Sequence, residues 1–309
     1  MMFSSAEGFL VGPICLIIFD KILVLNARVL RLQVIDAQLL PSEVTHIQFK
    51  RPPNFHFRSG QYIRVSSSAI GHVNDKHAFS LASAPQDPAI SLYIKAVGKW
   101  TWKLRTHVEQ CLQNKAPLPE IRLDGPYGEG NQDWLSYEVA VCIGGGIGIT
   151  PYASILRDLV FSTAGRKFSN VACKKVYFIW ICPKHEDWFV DVLRDVEEKD
   201  EQRLLETHIY VTRFFHKFDL RTTMLYICEK HFRGLYGKSM FTNLRAEHHF
   251  GRPDLKHLLQ VVQKRHHDQL SIGVFSCGLP AMNRNVKEAC QYTNRKGRLP
   301  TFRHQYASF

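Results

Sequence analysis

Short runs of β-branched and aromatic residues, in which apolar and polar positions partly alternate, follow one another closely in the first half of the chain. Pro-Ser, Pro-Pro-Asn and Ser-Gly segments separate these runs, as turns separate strands. Short strands at this spacing predict a small antiparallel barrel or sandwich. The runs are RVLRLQVIDAQLL (28–40), VTHIQFKRP (44–52), QYIRVSS (61–67) and ISLYIKAVG (90–98).

The second half of the chain changes to apolar runs that alternate with longer helical segments. This alternation predicts a doubly wound α/β domain, in which helices cover both faces of a parallel sheet. We therefore expect an α+β protein of two domains, 27–135 and 136–309. The predicted strands are EVAVCI (138–143), KKVYFIWIC (174–182), THIYVTRF (207–214) and SIGVFSCG (271–278), and the predicted helices cover 151–161, 186–204, 222–231, 254–267 and 280–292.

The amino-terminal segment GFLVGPICLIIFDKILVL (8–25) is mostly apolar but is interrupted by Asp20 and Lys21. A complete bilayer span needs about 20 apolar residues, so this run is either a buried helix or the cytoplasmic end of a transmembrane helix. Lys21, Arg28 and Arg31 on the following side fit the excess of positive charge on the cytoplasmic side of membranes. We assign residues 1–26 to the truncated end of a transmembrane helix, which places the rest of the chain on the cytoplasmic side.

Composition and charge narrow the range of partners. With 45% hydrophobic residues, the 309-residue chain can build two ordinary cores. A net charge of +12 favours anionic partners such as a phosphorylated cofactor, a nucleic acid or a membrane surface. The basic residues are scattered, and no recognition-helix, zinc-finger or RNP-type pattern accompanies them, so nucleic-acid binding is not expected.

The cysteines and histidines do not show the spacing of a metal site. The eight cysteines include no C-x-x-C pair and lie mostly in apolar runs, which is typical of reduced, buried thiols in a cytosolic setting. Adjacent histidines point to different sides of a helix or strand. The pairs His248-His249 and His266-His267 are therefore expected to lie on the surface rather than to converge on a metal.

The stretch VCIGGGIGITPYASIL (141–156) joins a strand, a glycine-rich loop and a helix. No Lys or Arg lies between Gly144 and Leu156, which excludes a P-loop, and Ile149 stands where a G-x-G-x-x-G fingerprint needs its third glycine. Thr150 is suited to the N-cap and Pro151 to the first helical position. A helix amino terminus behind a bare loop suits the pyrophosphate of a dinucleotide, although a merely tight strand-to-helix turn remains the alternative.

Seven ordered motifs closely resemble the carboxy-terminal dehydrogenase part of NADPH oxidases, within the ferredoxin–NADP reductase superfamily. The segment KFDLRTTMLYICE and the ending HQYASF resemble the dual oxidase branch in particular. The resemblance implies an FAD-binding antiparallel barrel followed by an NADPH-binding α/β domain. The motifs are HAFSLASAP (77–85), VGKWT (97–101), LDGPYGEG (123–130), GGGIGITPYASIL (144–156), FDLRTTMLYICE (218–229), HFGRPD (249–254) and IGVFSCG (272–278).

On the FAD side, the resemblance implies the following roles. The family's H-P-F-T motif is His77-Ala78-Phe79-Ser80 here: the Ser80 hydroxyl would hydrogen-bond the flavin ring, Phe79 would pack on the ring, and His77 would lie by the phosphates or ribitol. The family's H-I-R strand is Tyr93-Ile94-Lys95, in which Lys95 keeps the positive charge for the pyrophosphate but not the bidentate fork of Arg. The remaining residues of the expected diphosphate cradle are Gly98, Trp100 and Thr101.

On the nucleotide side, the glycine loop would take the pyrophosphate and nicotinamide ribose of NADPH, Cys277 and Gly278 would lie against the nicotinamide, and Arg252 would contact the adenosine end. The carboxy-terminal Phe309 would stack on the flavin and move when the nicotinamide arrives. Ser80, Cys277 and Phe309 are the expected catalytic residues. The glycine-loop residues are Gly144, Gly145, Gly146, Gly148 and Thr150.

One departure from the family pattern concerns the choice between NADPH and NADH. An arginine that follows the strand FIW in the family selects the 2′-phosphate, whereas this chain has Pro183 there. Lys184 or Arg213 could substitute for it. The net charge of +12 and these nearby cations favour NADPH.

The resemblance implies hydride transfer from NADPH to FAD, followed by single-electron transfer to haems in membrane helices and then to O2, giving superoxide or hydrogen peroxide. The chain itself is expected to be a fragment that lacks the haem-binding helices, so that the membrane haem domain is its partner. Two alternatives are a free-standing soluble flavoprotein like ferredoxin reductase, and a non-catalytic interaction module in which the altered motifs no longer bind cofactors.

Overall fold

The computed structural model of the chain describes residues 11–19, 30–72, 74–128, 132–164, 172–184, 187–213 and 220–307. Residues 11–19 form helix α1, whose side chains are exposed, so the alternative of a buried helix does not hold for this stretch. In the described part of the chain no helix has the length and apolar character needed to cross a membrane. Lys21, Arg28 and Phe309 lie outside the described residues.

The first domain is a six-stranded antiparallel sheet in the order β4-β3-β6-β1-β2-β5. The Ala82 amide donates to the Ser91 carbonyl, which joins the ends of β4 and β5 and closes the sheet into the predicted barrel. One helix, α2, follows β5. The elements are β1 (Leu30–Leu40), β2 (Val44–Lys50), β3 (Tyr62–Ser66), β4 (His77–Ser80), β5 (Ala89–Lys95), α2 (Lys99–Gln113) and β6 (Glu120–Tyr127).

Helix α2 was not predicted from the strand pattern, although its sequence carries a helical period. Trp100, Leu104, Val108 and Cys111 recur at intervals of three or four residues and are its buried side chains. The first three pack into the core of the barrel. The apolar face of α2 therefore docks on the barrel, and its amino terminus starts directly after β5 and Gly98.

The second domain is a six-stranded parallel sheet in the order β10-β9-β8-β7-β11-β12. The predicted strands are present, and β10 and β12 extend the sheet at its two edges. The elements are β7 (Val139–Gly145), α3 (Thr150–Ala164), β8 (Lys175–Cys182), α4 (Asp187–Lys199), β9 (Leu205–Val211), α5 (Leu220–Tyr236), β10 (Glu247–Phe250), α6 (Leu255–Arg265), β11 (Ser271–Cys277), α7 (Pro280–Asn294) and β12 (Thr301–Ala307).

Separate apolar layers cover the two faces of this sheet, as a doubly wound fold requires. On one face, α3 and α4 contribute Leu156 and Phe189 to a core with Trp180 of β8. On the other face, α6 and α7 contribute Leu259 and Val286. The predicted fold class, an antiparallel barrel followed by a doubly wound α/β domain, is confirmed.

Strand β7 is the topological switch point of the sheet. The chain passes from β7 through β8 and β9 to β10 on one side, and returns to place β11 on the other side of β7. In open α/β sheets, ligands bind beyond the carboxyl ends of the strands at such a point. The carboxyl ends of β7 and β11 are Gly145 and Cys277, and Cys277 pairs with Gly144.

Helix α3 connects the α/β domain to the barrel. Asp158 accepts hydrogen bonds from Ser59 Oγ and Gln86 Nε2, both at 2.7 Å. Ser154 Oγ donates to the Ser83 carbonyl at 2.7 Å and is fully buried. Because α3 begins directly behind the glycine loop, these contacts fix the loop relative to strands β4 and β5 of the barrel.

The prediction that both histidine pairs lie on the surface is wrong for His248, which is only 3% exposed. Its Nδ1 lies 3.5 Å from Oε1 of the buried Glu229 on α5. Strand β10 pairs with β9 on one side, and α5 covers the face on which His248 lies. The thiols are mostly buried, as predicted, with Cys15 and Cys228 exposed.

Candidate functional site

A cavity of about 450 Å³ lies between the barrel and the glycine loop of the α/β domain. Both domains line it, because Ile147 and Thr150 face residues of β4, β5 and α2 across the opening. The cavity brings together all of the site residues expected from the barrel. Those that line it are His77, Phe79, Ser80, Lys95, Gly98, Trp100, Thr101 and, from the α/β domain, Thr150.

Three aromatic rings form one wall of the cavity. The Trp100 ring lies 4.6 Å from the His77 ring and 5.8 Å from the Phe79 ring, centroid to centroid. Strand β4 supplies His77 and Phe79, and the first turn of α2 supplies Trp100. The indole Nε1 of Trp100 is buried without a hydrogen-bond partner in the described structure. A buried donor of this kind is costly unless a ligand or water satisfies it.

The amino terminus of α2 opens into the same cavity, through Gly98, Lys99, Trp100 and Thr101. Thr101 Oγ1 accepts hydrogen bonds from the Val97 and Gly98 amides, both at 3.0 Å, and this orders the turn that enters the helix. The first turn contains no acidic residue, and a Cβ added at Gly98 would meet nothing within 4 Å. Free amides and the helix dipole make this end an anion site.

Two lysines add positive charge to the cavity. Lys95 ends β5, and Lys99 begins α2. Asp75 also lines the cavity, and its Oδ1 lies 3.0 Å from Nε2 of His77 without the geometry of a hydrogen bond. Sequence analysis assigned no role to Lys99 or Asp75. Lys99 lies within the VGKWT motif, whereas Asp75 lies in none of the seven motifs. The helix amino terminus and the two ammonium groups together favour a diphosphate at this end of the cavity.

Tyr93 was quoted in the strand motif but was not assigned a role. Its ring stacks on Trp188 of α4 at 4.1 Å and on His46 at 4.5 Å, and it lines the cavity. Burial raises the pKa of its phenol. Tyr93 therefore joins the barrel to the α/β domain at the cavity and keeps its hydroxyl protonated at neutral pH.

The glycine loop is shaped by close backbone approaches. A Cβ at Gly148 would lie 2.5 Å from the Cys277 carbonyl oxygen and 2.9 Å from Cα of Gly278. A Cβ at Gly145 would lie 2.5 Å from Met282 Sδ. Gly146, in contrast, has a φ of +58° and open space where its Cβ would be. The loop therefore packs tightly against the end of β11 and leaves a bare backbone surface at Gly146.

Thr150 differs from its expected role as the helix N-cap. Its φ and ψ of −53° and −46° are already helical. Its Oγ1 donates to the Ile147 carbonyl at 2.7 Å instead of accepting from the following amides. A short 3₁₀ turn over residues 146–149 leads directly into α3, so the glycines supply the turn and the threonine closes it.

Cys277 lies at the end of β11, fully buried against the glycine loop. Burial raises the pKa of its thiol to about 12, so the group is protonated at neutral pH and cannot act as a thiolate. Tyr152, which sequence analysis did not single out, donates its hydroxyl to the Phe275 carbonyl at 2.8 Å. That contact ties α3 to β11 just before Cys277.

The remaining expected nucleotide contacts lie along the carboxyl edge of the sheet. Pro183 and Lys184 follow β8, Arg213 follows β9, and Arg252 follows β10; all four are exposed. The Thr212 amide donates to the Cys182 carbonyl at 2.8 Å, which brings the loops after β8 and β9 together. Three strand spacings place β10 roughly 14 Å from β7, a distance that an extended dinucleotide can bridge.

Comparison with protein families matches both halves of this arrangement. Residues 29–131 match the FAD-binding domain, and residues 137–291 match the ferric reductase NAD binding domain. The chain belongs to the ferric reductase NAD-binding family. The cavity lies where the two matched regions meet, because β4, β5 and α2 belong to the first match and the glycine loop belongs to the second.

The chain is similar over most of its length to dual oxidases. It is 53% identical over 303 residues to the dual oxidase of Drosophila melanogaster, and these residues are 97% of this chain and 20% of that protein. It is 50% identical to dual oxidase 1 of Caenorhabditis elegans, again over 97% of this chain and 20% of the relative. The identity to human dual oxidase 2 is 47%, over 94% of this chain and 19% of that protein. The chain spans about a fifth of the length of these curated relatives.

Solved structures support the fold. A ferredoxin NADP⁺ reductase from Neisseria gonorrhoeae with bound FAD and NADP superposes with a TM-score of 0.58 at 15% identity, over 91% of this chain and 99% of that one. The flavohaem-like FAD/NAD binding domain of nitric oxide dioxygenase from Vibrio cholerae gives a TM-score of 0.54 at 14% identity, over 90% and 98% of the two chains.

The site residues fit the two cofactors that the matched domains bind. The unpartnered Trp100 indole, the bare α2 amino terminus at Gly98 and the two lysines suit an FAD diphosphate in the barrel half. The open face of Gly146 at a helix start suits a dinucleotide in the other half. The resemblance inferred from the sequence is confirmed, while the roles of the individual residues remain predictions.

Proposed function

We propose that this chain is the flavin dehydrogenase module of a membrane NADPH oxidase of the dual oxidase type. The observation that carries the proposal is the shared cavity, in which the barrel residues of the FAD half and the Ile147–Thr150 turn of the nucleotide half line one space. A cofactor held by the barrel there lies against the end of the glycine loop. Bound FAD would accept a hydride from NADPH and pass electrons on one at a time.

The protein contributes placement and electrostatics to this reaction. The barrel would hold the flavin between the Ser80 hydroxyl and the Phe79 ring. The α2 amino terminus and Lys95 would hold its diphosphate, with the Thr101 side chain ordering the turn. His77, with Asp75 near its ring, would sit beside the ribitol or phosphates.

The α/β domain would align the nicotinamide. The Gly146 backbone and the start of α3 would take the pyrophosphate, and Cys277 and Gly278 would form the surface behind the ring. Because the Cys277 thiol is protonated and buried, its role is to shape this surface and not to transfer a proton. Phe309 would cover the flavin from the chain terminus.

For the whole protein, we propose that the electrons leave toward a membrane-embedded haem domain and finally reduce O2 to superoxide or hydrogen peroxide. The similarity to dual oxidases supports this assignment. In this assignment the described domains would lie on the cytoplasmic side, where NADPH is available. Residues 1–26 would then be the end of the last membrane helix.

A steady-state assay tests the proposal. The purified chain, loaded with FAD, should oxidise NADPH with ferricyanide as acceptor, and Ser80→Ala should lower kcat by at least tenfold. Ser68→Ala is the matched control, because Ser68 is an exposed serine of the same domain outside the cavity. Equal rates for both variants would contradict the assigned role of Ser80.

Two further outcomes distinguish the alternatives. Rapid reduction of a soluble haem or iron–sulfur protein would favour a free-standing reductase. Absence of FAD binding at high concentration would favour a non-catalytic module.

Cofactor preference has a test of its own. We expect NADPH to exceed NADH in kcat/KM, and Lys184→Ala with Arg213→Ala to reduce that preference by weakening the contact to the 2′-phosphate. A tenfold advantage for NADH in the unaltered chain would overturn the assignment of NADPH.

A further inference from the structure

A second cluster of ligating side chains lies on one face of the β9–β10 pair, at the edge of the parallel sheet. The register places Glu247 opposite His208 and His249 opposite Tyr210. Because side chains alternate along a strand, His208 and Tyr210 share a face with Glu247 and His249. The neighbouring His248 points to the opposite face, toward Glu229.

The ligating atoms of this cluster converge. Nδ1 of His208 lies 3.1 Å from Nε2 of His249 and 3.7 Å from Oε2 of Glu247. All three ligating atoms lie within 4.8 Å of one another. Tetrahedral zinc with nitrogen ligands at 2.0–2.1 Å places those ligands about 3.3 Å apart. Small rotations of the partly exposed Glu247 side chain therefore suffice to bring the three ligating atoms to the spacing of a tetrahedral zinc site.

The opposite nitrogen of His208 is held by a carboxylate. Nε2 of His208 lies 3.3 Å from Oε1 of Glu206. Glu206 is itself fixed by Lys175 at 3.2 Å and Arg265 at 2.8 Å. A carboxylate that accepts the outer N–H of a ligating imidazole fixes the tautomer and ring orientation in metal sites. Here it leaves the Nδ1 lone pair directed at His249 and Glu247.

We propose that His208, His249 and Glu247 form a binding site for a divalent transition-metal ion, specifically Zn²⁺. Two imidazoles and one carboxylate are the donor set that zinc accepts, with the fourth position open to water. Hard cations such as Ca²⁺ and Mg²⁺ require oxygen ligands and are disfavoured by this set. The Glu247 side chain is 45% exposed, so an ion can reach the cluster from solvent.

Arg233 supplies a sharp internal test. Its Nη1 lies 3.5 Å from Oε2 of Glu247, so its guanidinium occupies the neighbourhood of the carboxylate that zinc would use. Removing this positive charge should strengthen zinc binding, whereas removing any of the three ligands should weaken it. A cluster that binds no metal predicts no such pair of opposite effects.

The site would join the short edge strand β10 to β9. Strand β10 has only four residues, and an ion bound by both strands would resist their separation. Zinc should therefore raise the melting temperature of the folded chain. None of the three ligands lines the cavity shared by the barrel and the glycine loop, so this effect should be seen in the absence of FAD.

The experiment is a competition between the tag-free, EDTA-treated chain and a chromophoric zinc chelator. We expect stoichiometric binding, with Glu247→Gln and His249→Ala each lowering the affinity by on the order of 100-fold, Glu206→Gln by about 10- to 100-fold, and Arg233→Gln raising it. The control is His257→Ala, an exposed histidine on α6 outside the cluster, which should change nothing.

Substitution with Co²⁺ provides a readout of the coordination sphere itself. Bound Co²⁺ should give visible d–d bands that Glu247→Gln alters and His257→Ala does not. Because Glu247 is partly exposed, its variant is expected to fold even if His249→Ala does not. Unchanged zinc affinity in Glu247→Gln, or failure of the unaltered chain to take zinc from the chelator, would overturn the proposal and leave the two histidines joined by a hydrogen bond only.

Discussion

The contact between Gly148 and the end of β11 gives a prediction whose size follows from the structure. A Cβ at Gly148 would lie 2.5 Å from the Cys277 carbonyl oxygen, 2.8 Å from its carbonyl carbon and 2.9 Å from Cα of Gly278. All three are backbone atoms, so no side-chain rotation relieves the clash. Ordinary contact begins at 3.4 Å, and the two segments must separate by about 0.9 Å, which is 3.4 minus 2.5.

That displacement falls at the surface on which we place the nicotinamide. A misplacement of about 1 Å in an active site can cost on the order of 100-fold in rate. Gly148→Ala should therefore slow hydride transfer from NADPH to bound FAD by roughly 100-fold, while FAD affinity should change little because the barrel strands and the α2 amino terminus that would hold FAD are untouched. Overpacking at this position should also lower the free energy of unfolding by about 1–3 kcal/mol.

The assay is anaerobic stopped-flow absorbance of the FAD-loaded chain mixed with NADPH, with a urea melt for stability. Gly234→Ala is the matched control, because Gly234 lies on α5 with nothing within 4 Å of an added Cβ. Replacing a helical Gly with Ala should leave the rate unchanged and stabilise the chain by up to about 1 kcal/mol. Flavin reduction by Gly148→Ala at the wild-type rate would refute the placement of the nicotinamide against Cys277.

Three other substitutions or treatments test the remaining parts of the site. Thr101→Ala removes the acceptor of the Gly98 amide. It should lower the free energy of unfolding by about 1 kcal/mol in a urea melt and lower the affinity for FAD in a fluorescence titration. Unchanged FAD affinity would argue against a diphosphate site at the α2 amino terminus. Gly146→Ala places a methyl group on the open face of a residue with a φ of +58°. It should lower the free energy of unfolding by about 1–2 kcal/mol and raise the KM for NADPH at least tenfold. An unchanged KM would contradict a pyrophosphate site at Gly146. Iodoacetamide at pH 7.5 should label the exposed Cys228 and spare Cys277, whose pKa of about 12 and burial keep it protonated, as mass spectrometry can check; rapid labelling of Cys277 would disprove this.

The fold class could be predicted from local sequence patterns. The short alternating runs of the first half indicate antiparallel strands, and the apolar runs between helical segments in the second half indicate a parallel sheet. Strand β10, with four residues, and strand β12 escaped prediction because their extended conformation depends on pairing with β9 and β11. Helix α2 is a different case. Its period of Trp100, Leu104, Val108 and Cys111 was present in the sequence, but the strand assignment of the first half hid it.

Site residues that belong to a recognisable motif could be predicted from the sequence. Residues whose position depends on tertiary contacts could not. The barrel residues expected at the flavin, such as Ser80 and Lys95, do line the cavity. The N-cap role of Thr150 failed because the preceding glycines continue the chain as a 3₁₀ turn, a conformation that composition does not specify. His248 is buried because Glu229, nineteen positions earlier, is brought against it by α5.

The most direct test of the central claim is addition of NADPH to the FAD-loaded chain under anaerobic conditions, monitored by flavin absorbance. If the cavity holds the flavin beside the nicotinamide surface, the absorbance should bleach within a single turnover, and Ser80→Ala and Gly148→Ala should each slow the bleaching. FAD that binds stoichiometrically but keeps its oxidised spectrum in excess NADPH would contradict the account.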